Sequence, residues 1–147
     1  MLKRSLLSAI LSSLVVLVSA ADGLAVSDSL RATFVKDRPA AVDVARDGIH
    51  VVSYRFDRLT RGGANPFKMG SGPSVVLDVR NEGTAEKDFA IAVALFDMDG
   101  RLVGAGTGSQ AGKLDPGKTE EIKVVFHGVS RDVHRATTIF LTLETER

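Results

Sequence analysis

Three features of the sequence predict an all-β fold: two packed antiparallel sheets with about seven strands. Short runs such as Ser74–Arg80 and Glu120–Phe126 alternate apolar and polar residues with the period of two that a half-buried strand requires. Turn chemistry recurs between the runs, at Asp47-Gly48, Asn81-Glu82-Gly83, Asp97-Met98-Asp99-Gly100 and Leu114-Asp115-Pro116-Gly117. No stretch beyond residue 21 carries apolar residues at convincing helical spacing. An open barrel is the competing arrangement.

Residues 1–20 have the layout of a secretory signal. Lys3 and Arg4 precede the uncharged Leu/Val/Ser run Ser5–Val18, and Val18-Ser19-Ala20 offers a small-residue cleavage site. The run falls short of the roughly 20 apolar residues that span a bilayer. A cleaved signal is therefore expected in preference to a retained anchor. With it come a periplasmic or secreted location and no stable membrane insertion. Lys3 and Arg4 are two of the 19 basic residues, so the remainder carries 17 against 18 acidic ones. Such balance lacks the basic excess that nucleic-acid binding draws on. The chain has no Trp and one Tyr, Tyr54, which argues against an aromatic stacking platform. It also has no Cys, so disulfides, lipidation at a thiol and the commonest structural zinc sites are excluded. An apolar core must hold the domain together.

A chain of 147 residues suits one domain. The expected division is a signal over 1–20, a leader with a short edge strand over 21–48, and a sandwich over 49–147. Leu30–Lys36 reads as a first short strand, ended by Pro39, and Ala41–Val44 as a brief edge strand. Ile49–Leu59 follows, with His50, Val52, Tyr54 and Phe56 expected on one face and Ile49, Val51, Ser53, Arg55 and Asp57 on the other.

The connection Thr60–Pro73 is rich in Gly and Pro and long for a small domain. It reads as a crossover between sheets or as a contact loop. In the second case Arg61, Phe67, Lys68 and Met69 are the candidate partner-contacting residues.

Ser74–Arg80 should bury Val75, Leu77 and Val79. Asp88–Phe96 is apolar on both faces: Phe89, Ile91, Val93 and Leu95 on one, Ala90, Ala92, Ala94 and Phe96 on the other. Both faces must be covered, or one must meet a partner. Asp97–Gly100 turns the chain into Arg101–Val103. The glycine-rich run Gly104–Gly112 should continue thinly, as a bulged or edge segment. Past Pro116-Gly117, Glu120–Phe126 should bury Ile122, Val124 and Phe126. One helical turn fits within Gly128–Arg135, and Ala136–Glu144 should bury Ile139, Leu141 and Leu143.

Val75–Gly83 ends a strand in Asn-x-Gly, Val93–Asp97 runs into Asp99-Gly100, and Leu114–Thr119 carries Leu-x-Pro-Gly before a strand ending in Phe126. In that order these pieces resemble the FxLYD-type domains and related immunoglobulin- or fibronectin-like exported modules. The resemblance covers about Ile49 to Leu143. Val93 stands where the family's Phe would be and Phe96 where its Tyr would be. It implies a β-sandwich with an extracytoplasmic, non-catalytic role, and it supplies no catalytic residue.

Reactive constellations are thin. Asp97-Met98-Asp99-Gly100 begins like a calcium loop, but Arg101 takes an acidic position and Leu102 the glycine position, so a hairpin turn is expected. His50, His127 and His134 are too few, without Cys, to suggest a metal. Ser130, Asp132 and His134 are close in sequence, which does not make a triad. No Gly-x-Ser-x-Gly elbow is present. The expectation is an exported, non-catalytic module without a cofactor. It would act by protein–protein recognition of another envelope or secreted protein, or as a structural envelope component. The alternative is a carrier that holds a small apolar ligand between its sheets.

Overall fold

The computed structural model describes residues 26–57, 72–126 and 133–146. Eight strands form: β1 (Val26–Thr33), β2 (Ala40–Arg46), β3 (Ile49–Asp57), β4 (Ser74–Asn81), β5 (Phe89–Phe96), β6 (Leu102–Ser109), β7 (Thr119–Val125) and β8 (Thr138–Thr145). A single 3₁₀ turn, Val133–Arg135, precedes β8. The strands make two four-stranded antiparallel sheets, sheet A in the order β1-β8-β5-β6 and sheet B in the order β2-β3-β4-β7. The predicted two-sheet sandwich is what forms. It has one strand more than expected, because the short N-terminal and glycine-rich candidates are both full strands. The consecutive strands β2, β3 and β4 lie side by side, an order that the ABED/CFG arrangement of immunoglobulin constant domains does not contain.

The core is what the alternation dictates. Val75, Leu77 and Val79 of β4 and Ile122 and Val124 of β7 face Ile91, Val93 and Leu95 of β5 and Ile139, Leu141 and Leu143 of β8. Each such side chain, fully buried, contributes about 1.5–3 kcal/mol of transfer free energy.

In β3 the expected faces are wrong past Val51. The register with β4 shifts between Val51 and Ser53, so Val52 is an extra residue. A bulge of one residue inverts the alternation beyond it. Tyr54 is therefore buried beside Ile49 and Val51, while Ser53 is half-buried and Arg55 and Asp57 are exposed.

Tyr54 fastens the β1–β2 connection. Its hydroxyl accepts from the Val35 N–H (2.7 Å) and donates to the Thr33 carbonyl (3.4 Å), and its ring stacks on Phe34 at 5.8 Å. Burial raises the phenol pKa above its ordinary 10.0, with the Val35 hydrogen bond opposing in part. The protonated form is thus favoured in the folded state. Its stabilisation is complete below the unfolded pKa and is lost as pH rises through the raised folded value. Because Tyr54 is the chain's one tyrosine, phenolate absorbance reads it directly. The midpoint should lie above 10.0 in buffer and return to the ordinary value in denaturant. An identical midpoint in both would refute the burial argument.

The glycines of β6 have a purpose that strand propensity does not reveal. β6 is the edge of sheet A and lies against β7, the edge of sheet B. Gly104, Gly106 and Gly108 alternate and so share the inward face. A Cβ on Gly106 would stand 2.7 Å from the Val125 carbonyl oxygen, and one on Gly108 would stand 2.7 Å from Ile122 Cγ2. The missing side chains let the two edges close together. The glycine-rich run is the edge segment expected, while the bulge falls just before it: Val103 is extra in the pairing with β5, between Gly104 opposite Leu95 and Leu102 opposite Phe96.

Candidate functional site

The outer faces of the two sheets differ in chemistry. Sheet B carries charges that largely satisfy one another. Arg55 grips Glu121 with two bonds, Nη1–Oε1 at 2.7 Å and Nη2–Oε2 at 3.1 Å. This holds the Glu121 carboxyl below its usual range. Lys123 lies 3.7 Å from Asp57, and Ser53 Oγ donates to Asp78. Val76 points outward between Arg55 and Lys123 in the register, yet is 6 % exposed. Long aliphatic stems of such neighbours cover apolar surface in this way.

Sheet A presents the opposite. Its outward positions form four rows across the sheet: Thr33, Thr138, Phe96 and Leu102; Arg31, Phe140, Ala94 and Ala105; Ser29, Thr142, Ala92 and Thr107; then Glu144, Ala90 and Ser109 on β8, β5 and β6. Only Arg31 and Glu144 are charged. Phe140 is 37 % exposed and Leu102 57 %. Ala92, Ala94, Ala105, Thr107, Phe140 and Thr142 line an open trough of about 650 Å³, with Lys123 and Val125 of sheet B at its rim. Alanine is a poor strand residue, and an exposed alanine gains nothing from solvent that Thr or Lys would not gain more cheaply. Small side chains are useful where another surface comes close.

Of the two faces of β5 that the sequence marks as apolar, only one is covered among the described residues. Phe89, Ile91, Val93 and Leu95 are buried, while Ala90 and Ala92 are exposed and Ala94 and Phe96 half-buried. The far face has no cover among the described residues. The sequence flagged β5 but could not supply Phe140, Thr142 and Ala105, which only the pairing with β8 and β6 brings alongside.

The β5–β6 hairpin stands beside this face. Gly100 has φ 76°, Gly100 N–H donates to the Asp97 carbonyl, and the Asp97 carboxylate accepts from the N–H groups of Asp99 and Arg101, both at 2.9 Å. This ties the acidic side chain into the turn, as the hairpin reading expects. Met98 at the tip is 85 % exposed.

The loop candidates Arg61, Phe67, Lys68 and Met69 lie outside the described residues, as do His127, Ser130 and Asp132. His134 sits in the 3₁₀ turn, where its carbonyl accepts from Lys36 Nζ at 2.6 Å. His50 lies on sheet B between two carboxylates: Nε2 is 3.1 Å from Asp43 and Nδ1 is 3.3 Å from Glu82, neither with hydrogen-bond geometry. The two acids address opposite ring nitrogens and do not converge. Among the described residues no group of three or more His, Cys, Asp or Glu is placed to hold a metal ion. No helix among them is long and apolar enough to cross a membrane.

Compared with known protein families and with characterised proteins, the chain matches none. The fold and the outer face of sheet A, uncovered among the described residues, define it as a β-sandwich domain with one chemically distinct surface.

Proposed function

We propose that the protein is an exported, non-catalytic recognition module, or a structural component of the envelope, whose contact surface is the outer face of sheet A. The observation that carries this reading is the contrast between the two faces. Sheet B pairs Arg55 with Glu121 and Lys123 with Asp57 on its outer face, whereas sheet A exposes Phe140, Leu102 and a field of alanines around the trough. Exposed apolar patches rimmed by polar groups are typical of contact surfaces. The partner class is another envelope or secreted protein. A ligand carried between the sheets has less support. That space is filled by core side chains no more than 8 % exposed, Tyr54, Phe126 and Leu77 among them.

A photo-crosslinking residue at Ala92, on the sheet A face, tests this against the same residue at Ala45, an exposed position in β2 of sheet B. In the native envelope, adducts should form from position 92 and be absent from position 45. Adding Arg31→Glu, elsewhere on the same face, should reduce the adducts from 92 without lowering the melting temperature. Equal adducts from both positions, or none from 92, would remove the sheet A face as the contact.

A further inference from the structure

Resting on the reading that the outer face of sheet A is a contact surface, we infer that its occupant is a second copy of this chain, packed face to face about a two-fold axis that runs across the strands. The two lone charges on the face carry the argument. Arg31 on β1 and Glu144 on β8 are both exposed, and neither has an ion-pair partner among the described residues. Arg31 pairs in register with Phe140, and Glu144 lies four residues further along β8. The two charges are thus about 5 Å apart across the strands and about 14 Å apart along them. A two-fold axis across the strands between them sets Arg31 of each copy over Glu144 of the other, making two equivalent opposite-charge contacts as an isologous interface requires.

The same operation fits the apolar parts together. Phe140 stands next to Arg31 on the side toward β5, and Ala90 stands next to Glu144 on that side. Where Arg31 meets Glu144, the Phe140 ring of one copy therefore falls on Ala90 of the other, with Ala92 beside it, where no side chain is long enough to obstruct it. Strands crossing at about 30° are the usual geometry of two sheets packed face to face. Four strands by four rows give roughly 500 Å² of flat sheet per copy. The two copies together thus cover about 1,000 Å², below the range of stable contacts, which implies a weak, reversible, concentration-dependent dimer.

Sedimentation equilibrium of the purified protein from about 1 µM to about 1 mM, a range that covers weak and moderate association, tests the proposal. A monomer–dimer equilibrium is expected. Arg31→Glu or Glu144→Arg alone should weaken it at least about 10-fold by placing like charges together. The double variant, with the pair reversed, should recover to within about 3-fold of the parent. Arg31→Gln, milder, should weaken it less than Arg31→Glu, and circular dichroism checks that each variant is folded. A monomer throughout the range, or a double variant no better than the singles, overturns the self-association. If the protein is monomeric yet position 92 still crosslinks to a different protein in the envelope, only the second-copy assignment falls and the recognition face stands. If position 92 yields no adduct either, both fall.

Discussion

Replacing Asn81 by alanine should destabilise the sandwich by about 3–4 kcal/mol, since a buried side chain that serves several backbone groups leaves each unpaired when removed. Asn81 is fully buried at the end of β4. Its Nδ2 donates to the carbonyls of Ala85 (2.8 Å) and Leu114 (2.7 Å), and its Oδ1 accepts from the Gly83 N–H (2.9 Å). Its own carbonyl accepts from Gly117 N–H at 2.7 Å. One amide thus joins the β4–β5 connection to the β6–β7 connection. Gly48, at φ 89°, is packed against Gly83 so tightly that a Cβ would lie 2.8 Å from its Cα. The β2–β3 turn is thereby drawn into the same knot. Urea unfolding of Asn81→Ala against the parent measures the cost. Asn81→Asp keeps the acceptor but faces two carbonyls with a carboxylate, and should be at least as damaging. A loss below about 1 kcal/mol for both would show that the three connections hold without the amide.

The second large effect concerns the glycines of β6, and here an order of severity is expected. Gly106→Val should cost about 2–3 kcal/mol through overpacking, because the obstacle at 2.7 Å is the Val125 carbonyl, part of a backbone that cannot turn aside. Gly108→Ala meets the Cγ2 methyl of Ile122, a stiff β-branch but a side-chain atom rather than backbone, and should cost less. Gly104→Ala finds the Phe126 ring at 3.5 Å, an ordinary contact, and should be neutral or slightly stabilising through its smaller unfolded-state entropy. Thermal denaturation of the three variants checks the ranking. If Gly104→Ala were the worst, close approach of the edges would not be the reason for the glycines.

These two sites mark where sequence reasoning stops. The period-two pattern of β4, β5, β7 and β8 states which side chains face the core, since nothing interrupts those strands, although it does not foretell that outward Val76 is buried as well. In β3 the pattern is equally clear but misleading. One extra residue at Val52 moves Tyr54 from the face shared with His50 to the core, and no local signal in the sequence places that bulge. In β6 the glycines look like weakness because propensity is a property of one strand, whereas their role depends on β7 lying across from them. Asn81 looked like a turn residue, and its reach to Leu114 depends on a connection far away in sequence. The contact surface was half legible. β5 declared two apolar faces, but the identity of its neighbours, and hence Phe140 beside Ala94, belongs to topology. The loop residues Arg61, Phe67, Lys68 and Met69 stood out by composition, and they lie outside the described residues.

The position of β8 has a consequence for how the molecule assembles. It is the last strand of the described chain, yet it lies between β1 and β5 and is the one partner β1 has within sheet A. A polypeptide delivered from its N-terminus can form the β5–β6 hairpin early, but β1 has nowhere to dock until residues 138–145 arrive. Thr145, 1 % exposed, donates through Oγ1 to Asp47 at 2.6 Å, so the final residue of β8 also latches the β2–β3 turn. Completion therefore waits on the far end of the chain. Until then sheet A lacks the strand that joins β1 to β5, and a chain cut short within residues 138–145 would leave β1 unpaired.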